Sequence, residues 1–225
     1  MNAPPVDGHF ALRKLHSLFG VIPIGAFLVF HLFENSLAGV WHGLSAEEWT
    51  RDVVYKIEAM PYVTVLEVLF IALPILFHGI YGVIIWLQGR ANPLRYGYFR
   101  NWMYVVQRVS GAVAFVFILT HVWSTRVQVL LGNLEKDQLY TTMQAAFANP
   151  LQAVWYGVGI LASVVHFSNG LWLVGVTWGL TLGPRSQRIS SWVCAAVGLA
   201  LLVLAGQALF GFQGAAHGGG ALTLR

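Results

Sequence analysis

Long apolar stretches alternate with short polar linkers along this chain, and the pattern predicts five membrane-crossing helices. A helix needs about 20 apolar residues to cross a bilayer. The stretches long enough are Leu15–Ala38, Tyr62–Gln88, Tyr104–Leu131, Leu151–Leu180 and Ile189–Phe212. Lipid offers an open strand no hydrogen-bond partners, so each stretch is predicted to be helical and the fold all-α. The linkers are polar: Glu47–Glu58 carries six charges, Arg90–Arg100 three arginines, and Gly132–Pro150 contains Glu135, Lys136 and Asp137. Gly183–Arg188 is a short turn in which Pro184 fits a helix stop. Pro23 and Pro74 lie inside stretches and predict bends. Residues 1–212 are expected to form a single membrane domain, and the Gly- and Ala-rich residues 213–225 a flexible tail. The first stretch exceeds a signal-peptide core of about 7–15 residues and is expected to be retained. No internal sequence repeat is visible.

Composition excludes a soluble protein. Of 225 residues, 57% are hydrophobic and 10% charged, with a mean hydropathy of +0.65; soluble domains average about 25% charged. The net charge of +4 comes from 13 Lys and Arg that form no dense run, so nucleic acid is not an expected partner. The cations read instead as topology. Arg13, Lys14, Arg90, Arg95, Arg100, Arg185 and Arg188 fall on one side, and Arg51, Lys56, Lys136 and Arg225 on the other. Excess Lys and Arg mark the cytoplasmic side, which puts the N-terminus inside and the C-terminus outside. Cys194 is the one cysteine, so an internal disulfide and a Cys-ligated cluster are excluded.

His31, His78, His121 and His166 each fall in a different one of the first four stretches, separated by 47, 43 and 45 residues. Ionisable groups inside a membrane are costly and point to function. In helices of alternating direction these positions sort into two layers, His31 with His121 outside and His78 with His166 inside. The layers are expected on the order of 15 Å apart across a hydrocarbon core of about 30 Å. Two histidines facing across a bundle suit the axial positions of a haem iron, which then has no open site and transfers electrons. Zinc and di-iron sites need more ligands in one place than either layer offers.

Small residues accompany the histidines. Positions 11 apart share a helix face about 16 Å apart in height. Gly20 lies 11 before His31, and Ser110, beside Gly111, lies 11 before His121. Gly82 and Gly170 follow His78 and His166 by four. These suit either a bulky planar ligand or close helix packing. Arg13, His16, Ser17 and Arg108 near the inner end, and Arg126 five residues beyond His121, are candidate partners for haem propionates. Each also suits an ordinary anchoring role. Glu67 lies 11 before His78, on the same face at outer height, and is a candidate proton-exchanging group for a quinone.

Four segments carry a resemblance: Arg13–His31 (RKLHSLFGVIPIGAFLVFH), Tyr96–Arg108 (YGYFRNWMYVVQR), His166–Trp178 (HFSNGLWLVGVTW) and Gly183–Ser191 (GPRSQRISS). Over almost the whole chain, from about Phe10 to the fifth stretch, the sequence resembles the diheme cytochrome b membrane-anchor subunit of Bacillus-type succinate dehydrogenases and fumarate reductases. The resemblance implies a bundle of the first four helices around two stacked haems b, with ligands on His31, His78, His121 and His166. It implies flavoprotein and iron–sulfur partners on the cytoplasmic face of a bacterial membrane, carrying FAD and iron–sulfur clusters. Electrons would flow from succinate through the inner and then the outer haem to a quinone, menaquinone for preference. No catalytic residue is expected on this chain, since the family's dicarboxylate site lies on a partner. A higher oligomer of the complex stays open.

Two other readings fit the residues alone. One is a diheme cytochrome b anchor of a hydrogenase- or formate-dehydrogenase-type complex. The other is a transporter with a histidine relay, which a haem spectrum would separate from the cytochromes.

Overall fold

The computed structural model describes residues 8–39 and 41–217, with side chains as far as 213. Residues 218–225, the greater part of the expected tail, lie outside the described residues. Among the described residues every regular element is helical. Five helices are long and apolar enough to cross a membrane: Gly8–Ser36, Val63–Gln88, Phe99–Leu130, Pro150–Thr177 and Pro184–Gln213.

The boundaries differ from the hydropathy pattern for local reasons. The first span begins at Gly8, and its Arg13 and Lys14 find partners at the ends of other spans: Arg13 donates to Gln88 Oε1 at 3.2 Å and Lys14 to the Thr177 carbonyl. Pro184 begins the fifth helix, where its missing N–H costs nothing, and that helix continues to His217. So 213–217, assigned to the tail by sequence, are helical.

Both internal prolines deform their spans. The first span is two helices, Gly8–Val21 and Pro23–Ser36, joined at Ile22, because Pro23 has no N–H to give the preceding turn. Pro74 follows a π-helical turn over Val68–Ala72. Such a turn adds one residue without adding a turn of helix. It therefore moves Glu67 roughly one residue, about 100°, out of phase with His78. The shared face expected from their spacing of 11 is interrupted. A second π turn, Trp123–Val127, directly follows the helix that ends with His121 and Val122.

Two linkers read as polar loops contain short helices. Ser45 caps Ala46–Trp49 in a capping box with Glu48, and Thr50–Val54 and Tyr55–Glu58 continue from it. The helix Leu139–Ala148 precedes the fourth span. Their inward residues were not visible as a long apolar run because each helix buries only part of its surface.

The chain forms two compact units. The first comprises Met1–Leu28, Thr64–Ala112 and Val165–Gly198, and the second Val29–Val63, Val113–Val164 and Leu199–Arg225. The second unit has an aromatic core of Trp49, Tyr140, Phe147, Tyr156 and Phe212, in which Tyr140 and Phe212 are each 2% exposed. Gly211 is required there, because a Cβ would strike the carbonyl of Ala38. The first unit leaves Val68, Leu69, Phe70, Leu73, Leu76 and Ile80 exposed along one span, as a lipid-facing helix requires.

Candidate functional site

In the first unit, four helical segments meet in two reciprocal crossings. His78 Nδ1 lies 2.8 Å from the carbonyl oxygen of His16, and His166 Nδ1 lies 2.9 Å from that of Gln107. A carbonyl only accepts, so in both cases Nδ1 carries the proton and Nε2 is left with its lone pair. Four residues beyond each carbonyl is a glycine. A Cβ on Gly20 would lie 2.6 Å from His78 Cε1, and one on Gly111 would lie 2.6 Å from His166 Cε1. The converse also holds: Gly82 faces His16 and Gly170 faces Gln107. The pairs 16/20 with 78/82 and 107/111 with 166/170 thus repeat one crossing, a structural repeat that the sequence does not display. Their spacing suits either a bulky planar ligand or close helix packing. The structure uses Gly20 and Gly111 to admit the histidine rings.

The rings of His78 and His166 stand 5.9 Å apart, centroid to centroid, at 85°. In the second unit, His31 and His121 also stand 5.9 Å apart, at 64°. Metal–imidazole bonds of about 2 Å on both sides of one metal atom place ring centroids roughly 6 Å apart. Each pair is therefore spaced as two opposed ligands. Among the described residues no group of three or more His, Cys, Asp or Glu is disposed to hold a bare metal ion.

His121 has a side-chain partner: its Nδ1 lies 3.2 Å from the Tyr156 hydroxyl. Phe117 lies near-parallel to the His121 ring. Asn35 donates to the His31 carbonyl at 2.8 Å. The sequence singled out none of Tyr156, Gln107 or Asn35. A polar side chain within a span was the available signal.

The expected anion partners each have contacts within the protein. His16 packs its ring 3.9 Å from His78. Ser17 donates to the Lys14 carbonyl and accepts from Trp178 Nε1 at 3.0 Å. Arg13 pairs with Gln88. Arg108 lies with its guanidinium 3.4 Å from the centre of the Tyr104 ring, and its Nε is buried with no hydrogen-bond partner. Arg126 binds Glu58 at 2.6 Å, and Lys136 binds the other Glu58 oxygen at 2.7 Å. Burial raises the Glu58 pKa, but the two cations more than offset this and hold it below the ordinary carboxylate value. Glu67, on the second span, is half-buried.

Membrane-length helices with paired imidazoles inside the spans place the chain among integral membrane proteins. Comparison with known proteins narrows this class. The family model of the succinate dehydrogenase/fumarate reductase transmembrane subunit matches residues 93–205. The chain is 38% identical over 203 residues to the succinate dehydrogenase cytochrome b558 subunit of Bacillus subtilis, covering 90% of this chain and 96% of that one. It is 30% identical over 106 residues to the succinate dehydrogenase 2 membrane subunit SdhC of Mycobacterium tuberculosis, covering 47% of this chain and 73% of that one. The chain belongs to the family of succinate dehydrogenase/fumarate reductase transmembrane subunits, and is thus a membrane subunit of that enzyme complex.

Proposed function

We propose that this chain holds two haems b, one between His78 and His166 and one between His31 and His121, and carries electrons between cytoplasmic iron–sulfur clusters and a membrane quinone. The observation that carries the reading is the anchoring of His78 and His166 by Nδ1 on backbone carbonyls, which leaves each Nε2 unprotonated; the Gln107 amide nitrogen, 3.5 Å from His166 Nε2, would yield that lone pair to iron. The 5.9 Å spacing of both pairs fits axial ligation. The buried, unpartnered Nε of Arg108 fits a propionate. Bound haem iron supplies one-electron transfer between its ferric and ferrous states. The chain's residues do the rest. The four histidines would hold the haem irons, the glycines admit the rings, and Arg108 would neutralise a propionate. Arg13, His16 and Ser17 complete the polar surroundings of the inner haem.

The Arg-rich side is cytoplasmic in this reading, with the N-terminus inside and the C-terminus outside. It is the docking face for a flavoprotein and an iron–sulfur protein, which hold FAD, the clusters and the dicarboxylate site. Its exposed Tyr98, Phe99 and Trp102 beside Arg95 and Arg100 support this, since aromatic and Arg residues favour interfaces. Quinone, menaquinone for preference, reacts near the His31–His121 haem. Glu67 exchanges its protons, and Arg126, which Glu58 holds at 2.6 Å, is the candidate outer propionate partner.

Purification of the intact complex from native membranes, with haem and flavin quantified per copy of this chain, tests the reading. Co-purifying flavoprotein with haem in this chain supports it. A chain without haem or flavoprotein overturns it.

A further inference from the structure

Three of the four intramembrane histidines show where their Nδ1 proton goes, and one of the three acceptors is unlike the others. His78 and His166 donate to peptide carbonyls. His121 faces a phenol, with its Nδ1 3.2 Å from Tyr156 Oη. That phenol is 9% exposed and enclosed by Phe117, Phe147 and His121 itself. Its hydroxyl donates to the Met143 sulfur at 3.8 Å. A thioether sulfur only accepts. The phenol hydrogen therefore points at Met143, and the phenol oxygen accepts Nδ1–H from His121. The chain Met143–Tyr156–His121 runs from the helix Leu139–Ala148 through the fourth span to the third.

We infer that Tyr156 is a positioning residue that fixes the His121 ring and sets the reduction potential of the haem it ligates. The inference rests on the haem reading above. An imidazole whose outer N–H is held by an acceptor is a more basic ligand and favours the higher charge on iron. Donation of the phenol's own hydrogen to Met143 strengthens its oxygen as an acceptor. Removing the hydroxyl makes His121 a weaker donor and raises the potential of that haem. The other haem keeps its carbonyl acceptors and does not move.

The test is a redox titration of the intact complex, followed by haem absorbance, for wild type, Tyr156→Phe and Phe147→Leu. The outer component is identified as the one missing from His31→Ala. Tyr156→Phe keeps the ring and removes one oxygen. It is expected to raise the outer potential by roughly three- to tenfold in redox equilibrium, about 28–59 mV at 59 mV per tenfold. Phe147→Leu alters packing beside the phenol and leaves the hydroxyl, so it is expected to cause no shift. An unchanged outer potential in Tyr156→Phe, or an equal shift in Phe147→Leu, overturns the inference. If Tyr156→Phe does not accumulate, Met143→Leu replaces it. A smaller upward shift is then expected, and no shift overturns the inference. Wild-type complex without haem would overturn the haem reading itself, a result distinct from either.

Discussion

His78 donates its Nδ1 hydrogen to the carbonyl of His16 at 2.8 Å, through the space that Gly20 leaves open four residues on. The contact joins two spans and fixes the ring's tautomer. Gly20→Ala would place a methyl 2.6 Å from the ring. Ala ordinarily stabilises a helix interior by about 0.5–1 kcal/mol over Gly, so a loss at this position reports the close approach. The expected result is loss of the inner haem with the outer one retained, read from difference spectra of the purified complex. Gly111→Ala, beside His166, is expected to do the same.

Ligand replacement should separate the two layers. His78→Ala is expected to remove mainly the inner haem and His31→Ala mainly the outer one. Absorbance spectra and haem content per chain check this. Loss of both haems together in both variants would contradict two independent sites.

Arg108 has a buried Nε with no partner. Removing a cation near a haem makes the reduced state less favourable, so Arg108→Gln is expected to lower the inner potential. Arg108→Lys keeps the charge and should fall between. An unchanged potential would return Arg108 to a packing role against Tyr104.

The five spans and the four histidines were legible because lipid leaves a chain few options. A span must be helical, and an ionisable residue within it needs a reason. The pairing followed from helix direction. What distances add is second-order: which carbonyl holds His78, why Gly20 is small, and that the Tyr156 hydroxyl meets His121. Those contacts join residues 62 and 35 positions apart, and no local pattern encodes them. The π turn at Val68–Ala72 shows the limit of counting by elevens, since one extra residue moves Glu67 off the phase of His78. Arg126 shows another limit, because Glu58 approaches it from a linker 68 residues away.

The Glu58 ion pairs predict a pH dependence. A carboxylate whose pKa is lower in the folded state stabilises the fold above its unfolded value, and loses that contribution as pH falls through the folded value. Glu58 lies below its ordinary 4.5. Wild type is expected to exceed Glu58→Gln in thermal stability near neutral pH, with the difference vanishing as pH falls below 4.5. Unfolding followed by haem absorbance across that range checks it. A difference that persists at the lowest pH would contradict the ion-pair account.

Glu67→Gln keeps size and removes titration. It is expected to reduce succinate:quinone turnover, with haem content and electron transfer from succinate to a soluble dye intact. Unchanged quinone turnover would make Glu67 a structural residue.

The central claim is two haems held by four histidines on one chain, and haem quantification on the purified complex tests it most directly. The account predicts two haems b per chain with the low-spin spectrum of bis-histidine iron, falling to one in either His31→Ala or His78→Ala. A wild-type value of one or none, or a high-spin spectrum with an open axial position, would contradict it.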